Sequence, residues 1–140
     1  MTCIFCRIIA RQAPGSFVHE DDAVCAFLDL FPVNPGHALV VPNRHVADLE
    51  ACPPAVAGRL FQVAQQLGPL IREAAGAQGF NVWTANGQAA GQDIFHLHLH
   101  VLPRFDRDAF GLRFPRDYPT EAPRDSLDAM ASRIRRLCER

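Results

Sequence analysis

Three histidines stand at alternate positions in the run HLHLHVLPR: His96, His98 and His100, separated by Leu97 and Leu99 and followed by Val101. Alternation by two is the period of a β-strand, so all three imidazoles share one face and the aliphatic residues turn to a core. Such a face admits three readings: a metal site, a nucleophile with supporting groups, or a polar surface strand. A single centre using all three is awkward, because His96 and His100 lie roughly 13 Å apart at ~3.3 Å per residue. His96 can therefore serve one centre while His98 serves another. Neutral imidazole suits attack on phosphorus, since one nitrogen offers a lone pair while the other donates its proton to a carbonyl that fixes tautomer and aim. Flanking histidines and the loop N–H groups from Gly91 to Asp93 can stabilise charge on the nonbridging oxygens.

A second set of candidates opens the chain. Cys3 and Cys6 form Cys-x-x-Cys, a spacing that suits two thiolates on one tight turn. A redox pair has the same spacing but is expected near a βαβ pattern, which this sequence does not show. Two ordinary cysteines near a terminus are the plain alternative. His45, in a loop, reads by itself as a solvated group; joined to the two thiols and a histidine from elsewhere, it completes a Cys2His2 set.

The elements that must position these groups follow from pattern. Phe17–Glu20 and Ala23–Leu30 read as a hairpin ending at Asp29, and His37–Pro42 as a short buried strand, so Asp29 and His37 flank one connection. Ala47–Leu49 reads as a brief helical turn. Pro53-Pro54 starts a helix whose apolar residues recur at three and four from Val56 to Ala75, with Gly76 as its stop and a kink expected at Gly68-Pro69. Phe80–Thr84 is a strand that pairs with the histidine strand, and its Trp83 reads as packing, with a base contact as the alternative. Beyond Arg104 the chain becomes an irregular, proline- and charge-rich arm. A last helix follows, with Asp125 as N-cap and with Leu127, Met130, Ala131, Ile134, Leu137 and Cys138 on one face. The expected fold is α+β: an antiparallel sheet of about five strands, backed by the long helix, with the C-terminal helix packed nearby.

Length and composition bound the rest. At 140 residues and 49% apolar, the chain fits a single domain, 1–140, with a core to 105 and an arm and helix over 106–140. A formal net charge of −1 supplies no basic field, so no nucleic-acid polymer is expected as partner. No stretch approaches the ~20 apolar residues of a membrane span, and the N-terminal segment lacks a signal peptide's apolar centre. A cytoplasmic protein without membrane contact is expected. Five cysteines, an odd number, argue against a disulfide framework, and Cys25, Cys52 and Cys138 read as core or partly buried thiols.

The run HLHLHVL, with AGQ before it and PR behind, resembles the histidine-triad family of nucleotide-binding hydrolases over Cys3 to about Phe105. By that resemblance His98 is the nucleophile, and His100 and His37 belong to the phosphate and proton-transfer shell. Asp29 matches the position that holds the ribose hydroxyls; Asn86, Gly91, Gln92 and Asp93 fall in the stretch that contacts phosphate and leaving group. Many members carry a small hydroxyl residue where Asp93 stands, so a carboxylate there repels phosphate or acts on the leaving group. Ala85 likewise stands where an amide is common. A subset of related proteins carries structural zinc, and the matching positions are Cys3, Cys6, His45 and His96. The resemblance implies a homodimer, a purine nucleotide or nucleotide conjugate as ligand, and no organic cofactor. Its implied function is hydrolysis of nucleoside 5′-phosphate conjugates, phosphoramidates or dinucleoside polyphosphates, through a nucleotidyl-histidine intermediate. A noncatalytic nucleotide-binding adaptor, a nucleotidyl transferase and a metal- or redox-responsive protein are the alternatives.

Overall fold

The computed structural model describes residues 3–140. Its elements, in chain order, are α1 (Ile4–Ile9), β1 (Phe17–Glu20), β2 (Val24–Leu28), β3 (Ala38–Pro42), α2 (Pro54–Ala75), β4 (Gly79–Trp83), β5 (Leu99–Arg104) and α3 (Arg124–Cys138). Among the described residues the five strands form one antiparallel sheet in the order β1-β2-β3-β5-β4.

The period of two along each strand divides the core between the two faces of this sheet. Val24, Ala26, Ala38, Val40, Leu97, Leu99 and Val101 bury one face against Leu60, Val63, Ala64, Leu67 and Ile71 of α2. Removing a leucine or isoleucine side chain of this kind from water contributes roughly 1.5–3 kcal/mol. Cys25, Phe27, Leu39 and Val41 face the other way and pack with Phe5, Ile8 and Ile9 of α1. The histidines of the triad stretch alternate with Leu97, Leu99 and Val101, so they fall on the α1 side.

α2 follows its sequence pattern to the residue. Pro54 occupies the first turn, where its missing N–H costs nothing, and Gly76 ends the helix at φ 67° in the left-handed region. The helix runs through Pro69 without interruption. Gly68 has a packing reason: a β-carbon there would stand 2.3 Å from Phe80 Cε2 of β4.

Elsewhere the boundaries differ from expectation. β2 stops at Leu28, and His37 precedes β3. β5 begins only at Leu99, so His96 and His98 lie before the strand. The cause is local: the Leu97 N–H donates to the Val46 carbonyl at 2.8 Å, and the His98 carbonyl accepts from the Thr84 hydroxyl at 2.8 Å. Loop and side-chain partners replace the ladder there, yet the facing alternation survives. Residues 47–49 form no helical turn; Asp48 Oδ1 accepts the Ala51 N–H at 2.9 Å and closes a tight turn instead.

Asp125 lies inside the first turn of α3 and Pro123 is the N-cap, its carbonyl accepting the N–H groups of Ser126 and Leu127. Cys138, expected at least partly buried, is exposed. The chain forms two compact units, the first ending at Ala109 and the second spanning Phe110–Arg140. Within the second, Phe114 and Tyr118 stack at 4.2 Å between centroids, and no residue of α3 is buried. No helix among the described residues is long and apolar enough to cross a membrane.

Candidate active site and metal centre

A cavity of about 810 Å³ opens on the α1 side of the sheet. Ile4, Phe5, Ile8 and Phe27 are among its apolar lining residues, and Asp29, His37, His98, His100, Trp83 and Asp93 also line it. Phe5 meets the rings of both His96 and His98 edge-on, at 5.8 and 5.2 Å. The sequence reading missed this contribution of α1. Its signal was present in the i, i+4 pair Ile4 and Ile8, which gives so short a helix an apolar stripe.

Hydrogen bonds fix the protons of the histidines. His98 Nδ1 lies 2.7 Å from the His96 carbonyl; a carbonyl only accepts, so Nδ1 carries the proton and Nε2 keeps a lone pair. The Val33 N–H donates to His37 Nδ1 at 3.2 Å, which places the proton of neutral His37 on Nε2. That nitrogen lies 2.9 Å from His100 Nδ1 and donates to it, leaving the His100 proton on Nε2. Burial pushes His100 down to about 4, with His98 and His37 adding in the same sense, and burial also lowers His37 against the opposing pull of Asp29. Both rings are thus neutral near pH 7. Trp83 stacks on His100 with centroids 4.3 Å apart and planes 6° apart, a consequence of their pairing across β4 and β5.

Asp29 Oδ2 approaches His37 Nε2 at 3.8 Å, and Asp29, His37 and His100 bring three donor atoms within 4.8 Å of one another. The Val33 bond decides against a cation there, because it leaves His37 Nε2 protonated. The hydrogen bond here joins His37 to His100, and the Asp29 carboxylate stands beside it as a charge.

The second cluster is built differently. Cys3, Cys6, His45 and His96 gather one donor atom each within 4.8 Å. His96 Nδ1 lies 3.5 Å from both sulfurs and 3.2 Å from His45 Nδ1, while Cys6 Sγ lies 3.4 Å from His45 Nδ1. A regular zinc tetrahedron, with bonds of about 2.3 Å to sulfur and about 2.0 Å to nitrogen, has sulfur–nitrogen edges of about 3.5 Å and a nitrogen–nitrogen edge of about 3.3 Å. His96 Nε2 donates to the Pro42 carbonyl at 2.9 Å, which leaves Nδ1 with the lone pair a metal needs. Donor set, edges and tautomer all fit Zn2+.

The loop residues separate by role. Gln92 is buried; its amide donates to the Ala47 and Ile94 carbonyls and its oxygen accepts the Gly87 N–H. Asn86 Oδ1 accepts the Leu49 N–H at 2.8 Å, and Gly91 caps a short 3-10 turn at φ 88°. None of these three lines the cavity, whereas Asp93 does. Gln92 and Asn86 therefore brace the loop with their side chains.

Fold and site together define a histidine-triad protein. The family model described as the HIT domain matches residues 10–107, and the chain belongs to this family. A HIT family protein from Bacillus anthracis has a similar structure, with a TM-score of 0.89 at 39% identity, covering 97% of this chain and 96% of that one. A zinc-bound histidine-triad protein from Mycobacterium smegmatis matches at a TM-score of 0.76 and 37% identity, over 84% and 85% of the two chains. Adenylylsulfatase HINT3 from Arabidopsis thaliana is 40% identical over 76% of this chain and 54% of its own length.

Proposed function

We propose that the chain hydrolyses nucleoside 5′-phosphate conjugates through a nucleotidyl intermediate on His98. The observation that carries this reading is the His98 Nδ1–H bond to the His96 carbonyl, which leaves Nε2 nucleophilic in a ligand-sized cavity. The apolar part of the cavity suits a purine base, and Asp29 suits the ribose hydroxyls. Nε2 attacks phosphorus, a P–N bond to it forms, and the bond to the leaving group breaks with its electron pair going to the leaving atom, which takes a proton from solvent. Water then adds to phosphorus and returns a proton to solvent, the P–Nε2 bond breaks with its electron pair restored to Nε2, and the nucleoside monophosphate departs. Neutral His100 donates through Nε2–H to a nonbridging oxygen, and His37 holds His100 in that tautomer. The adenylylsulfatase relative supports chemistry at an adenylyl phosphorus.

In the same reading Cys3, Cys6, His45 and His96 hold a structural Zn2+, which supplies cross-linking rather than chemistry because all four positions are protein donors. The protein acts as a homodimer, checked by sedimentation. The decisive test is AMP release from adenosine 5′-phosphoramidate. Wild type turns it over, and His98→Ala abolishes turnover while keeping the wild-type circular dichroism. A folded wild type that binds AMP but releases none from the conjugate would leave an adaptor.

A further inference from the structure

We infer that Asp93 makes this site select leaving groups that carry a positive charge, an inference that rests on the nucleotidyl-transfer reading above. The first argument is the place of the cavity on the sheet. Apolar side chains lie over β2, where Phe27 meets Ile4, Phe5 and Ile8 of α1; His98 and His100 belong to the β5 segment, two strands further on; and Trp83 stands on the edge strand β4. Asp93 lines the same cavity as His98, His100 and Trp83, so a leaving group released from phosphorus at His98 Nε2 departs within a space that this carboxylate faces.

The second argument is the charge inventory. The charged side chains lining the cavity are Asp29 and Asp93, and among the described lining residues none is arginine. Nor can a lysine reach it, since all 14 residues of the Lys-plus-Arg class are arginines. A polyphosphate or sulfate leaving group finds no countercharge there and meets the Asp93 carboxylate. An amine chain with a cationic end meets that carboxylate favourably.

The third argument is proximity to the reacting groups. The Asp93 charge is felt at His100, whose basicity it favours against the larger effect of burial. Asp93 is exposed, so its attraction is that of a solvated ion pair, worth about fivefold in rate and reduced by salt.

Three adenosine 5′-phosphoramidates of matched length test this: N-(4-aminobutyl), N-pentyl and N-(4-carboxybutyl). Wild type is expected to show kcat/KM falling about fivefold from the cationic to the neutral conjugate and about fivefold again to the anionic one. Asp93→Asn brings both ratios toward one, and 0.5 M salt does the same to wild type. Equal ratios in wild type, or ratios that persist in Asp93→Asn, overturn the inference. If His98-dependent cleavage of the pentyl conjugate accompanies equal ratios, the reaction stands and only the role of Asp93 falls. Failure to cleave any of the three overturns both.

Discussion

His100 is pressed between an indole ring and a second imidazole, and its properties follow from that position. Its folded pKa of about 4 lies below the ordinary value near 6.5, so between those values the unfolded chain binds more protons than the folded one. Stability is then full above pH 6.5 and falls as pH drops toward 4. Urea titrations at pH 7 and pH 5 should show a loss on the order of 2 kcal/mol from this residue, absent in His100→Gln. Trp83 acts on the same ring by holding its plane. Trp83→Leu is expected to lower kcat about fivefold with little change in KM, the worth of one aromatic stack, and Trp83→Phe to restore most of it. At this scale alternation placed His96, His98 and His100 on one face of the sheet, while the role of His98 came from the family resemblance. The sequence did not reveal that the Gln92 amide is consumed by backbone groups of Gly87, Ile94 and Ala47, since the Ala47 carbonyl, 45 positions away, is brought there only by the fold.

Among the elements, α2 was the most legible, its start, stripe and stop each having a local cause. Gly68 was read there as part of a kink, and its packing role depends on β4, which no local pattern reports. Gly68→Ala puts a β-carbon within 3.0 Å of three Phe80 ring atoms. Helix propensity alone would favour the change by about 1 kcal/mol, but overpacking of this kind costs about 1–3 kcal/mol. The variant is therefore expected to be less stable by about 1 kcal/mol in a urea midpoint, with Gly58→Ala, where nothing lies within 4 Å, as the neutral-to-stabilised control. β5 was read three residues too long for a related reason. The period of two persists from Leu97 to Val101, but the ladder does not, because Val46 and Thr84 take the backbone groups that a neighbouring strand would have paired.

At the scale of the whole molecule, Cys3, Cys6, His45 and His96 tie the N-terminal helix to two segments far along the chain, the thiol and ring of Cys3 and His96 being 93 positions apart. The fold class was readable from strand and helix periodicity, and the four residues that the structure gathers here were named together through the resemblance. The α1 wall of the cavity was not readable, because its place over β2 is a tertiary fact. Purified protein should contain about one zinc per chain by emission spectroscopy, and its removal with a chelator should lower Tm by several degrees. Cys3→Ser with Cys6→Ser should lose the metal and show the lower Tm without chelator. One residue belongs to both centres: the His96 ring faces the sulfurs while its carbonyl sets the proton of His98. Position 96 is therefore pleiotropic. A substitution that loosens its ring also disturbs the nucleophile through the backbone, so a mutational scan would score stability and turnover falling together there, and a lineage could not trade one for the other by changing this residue.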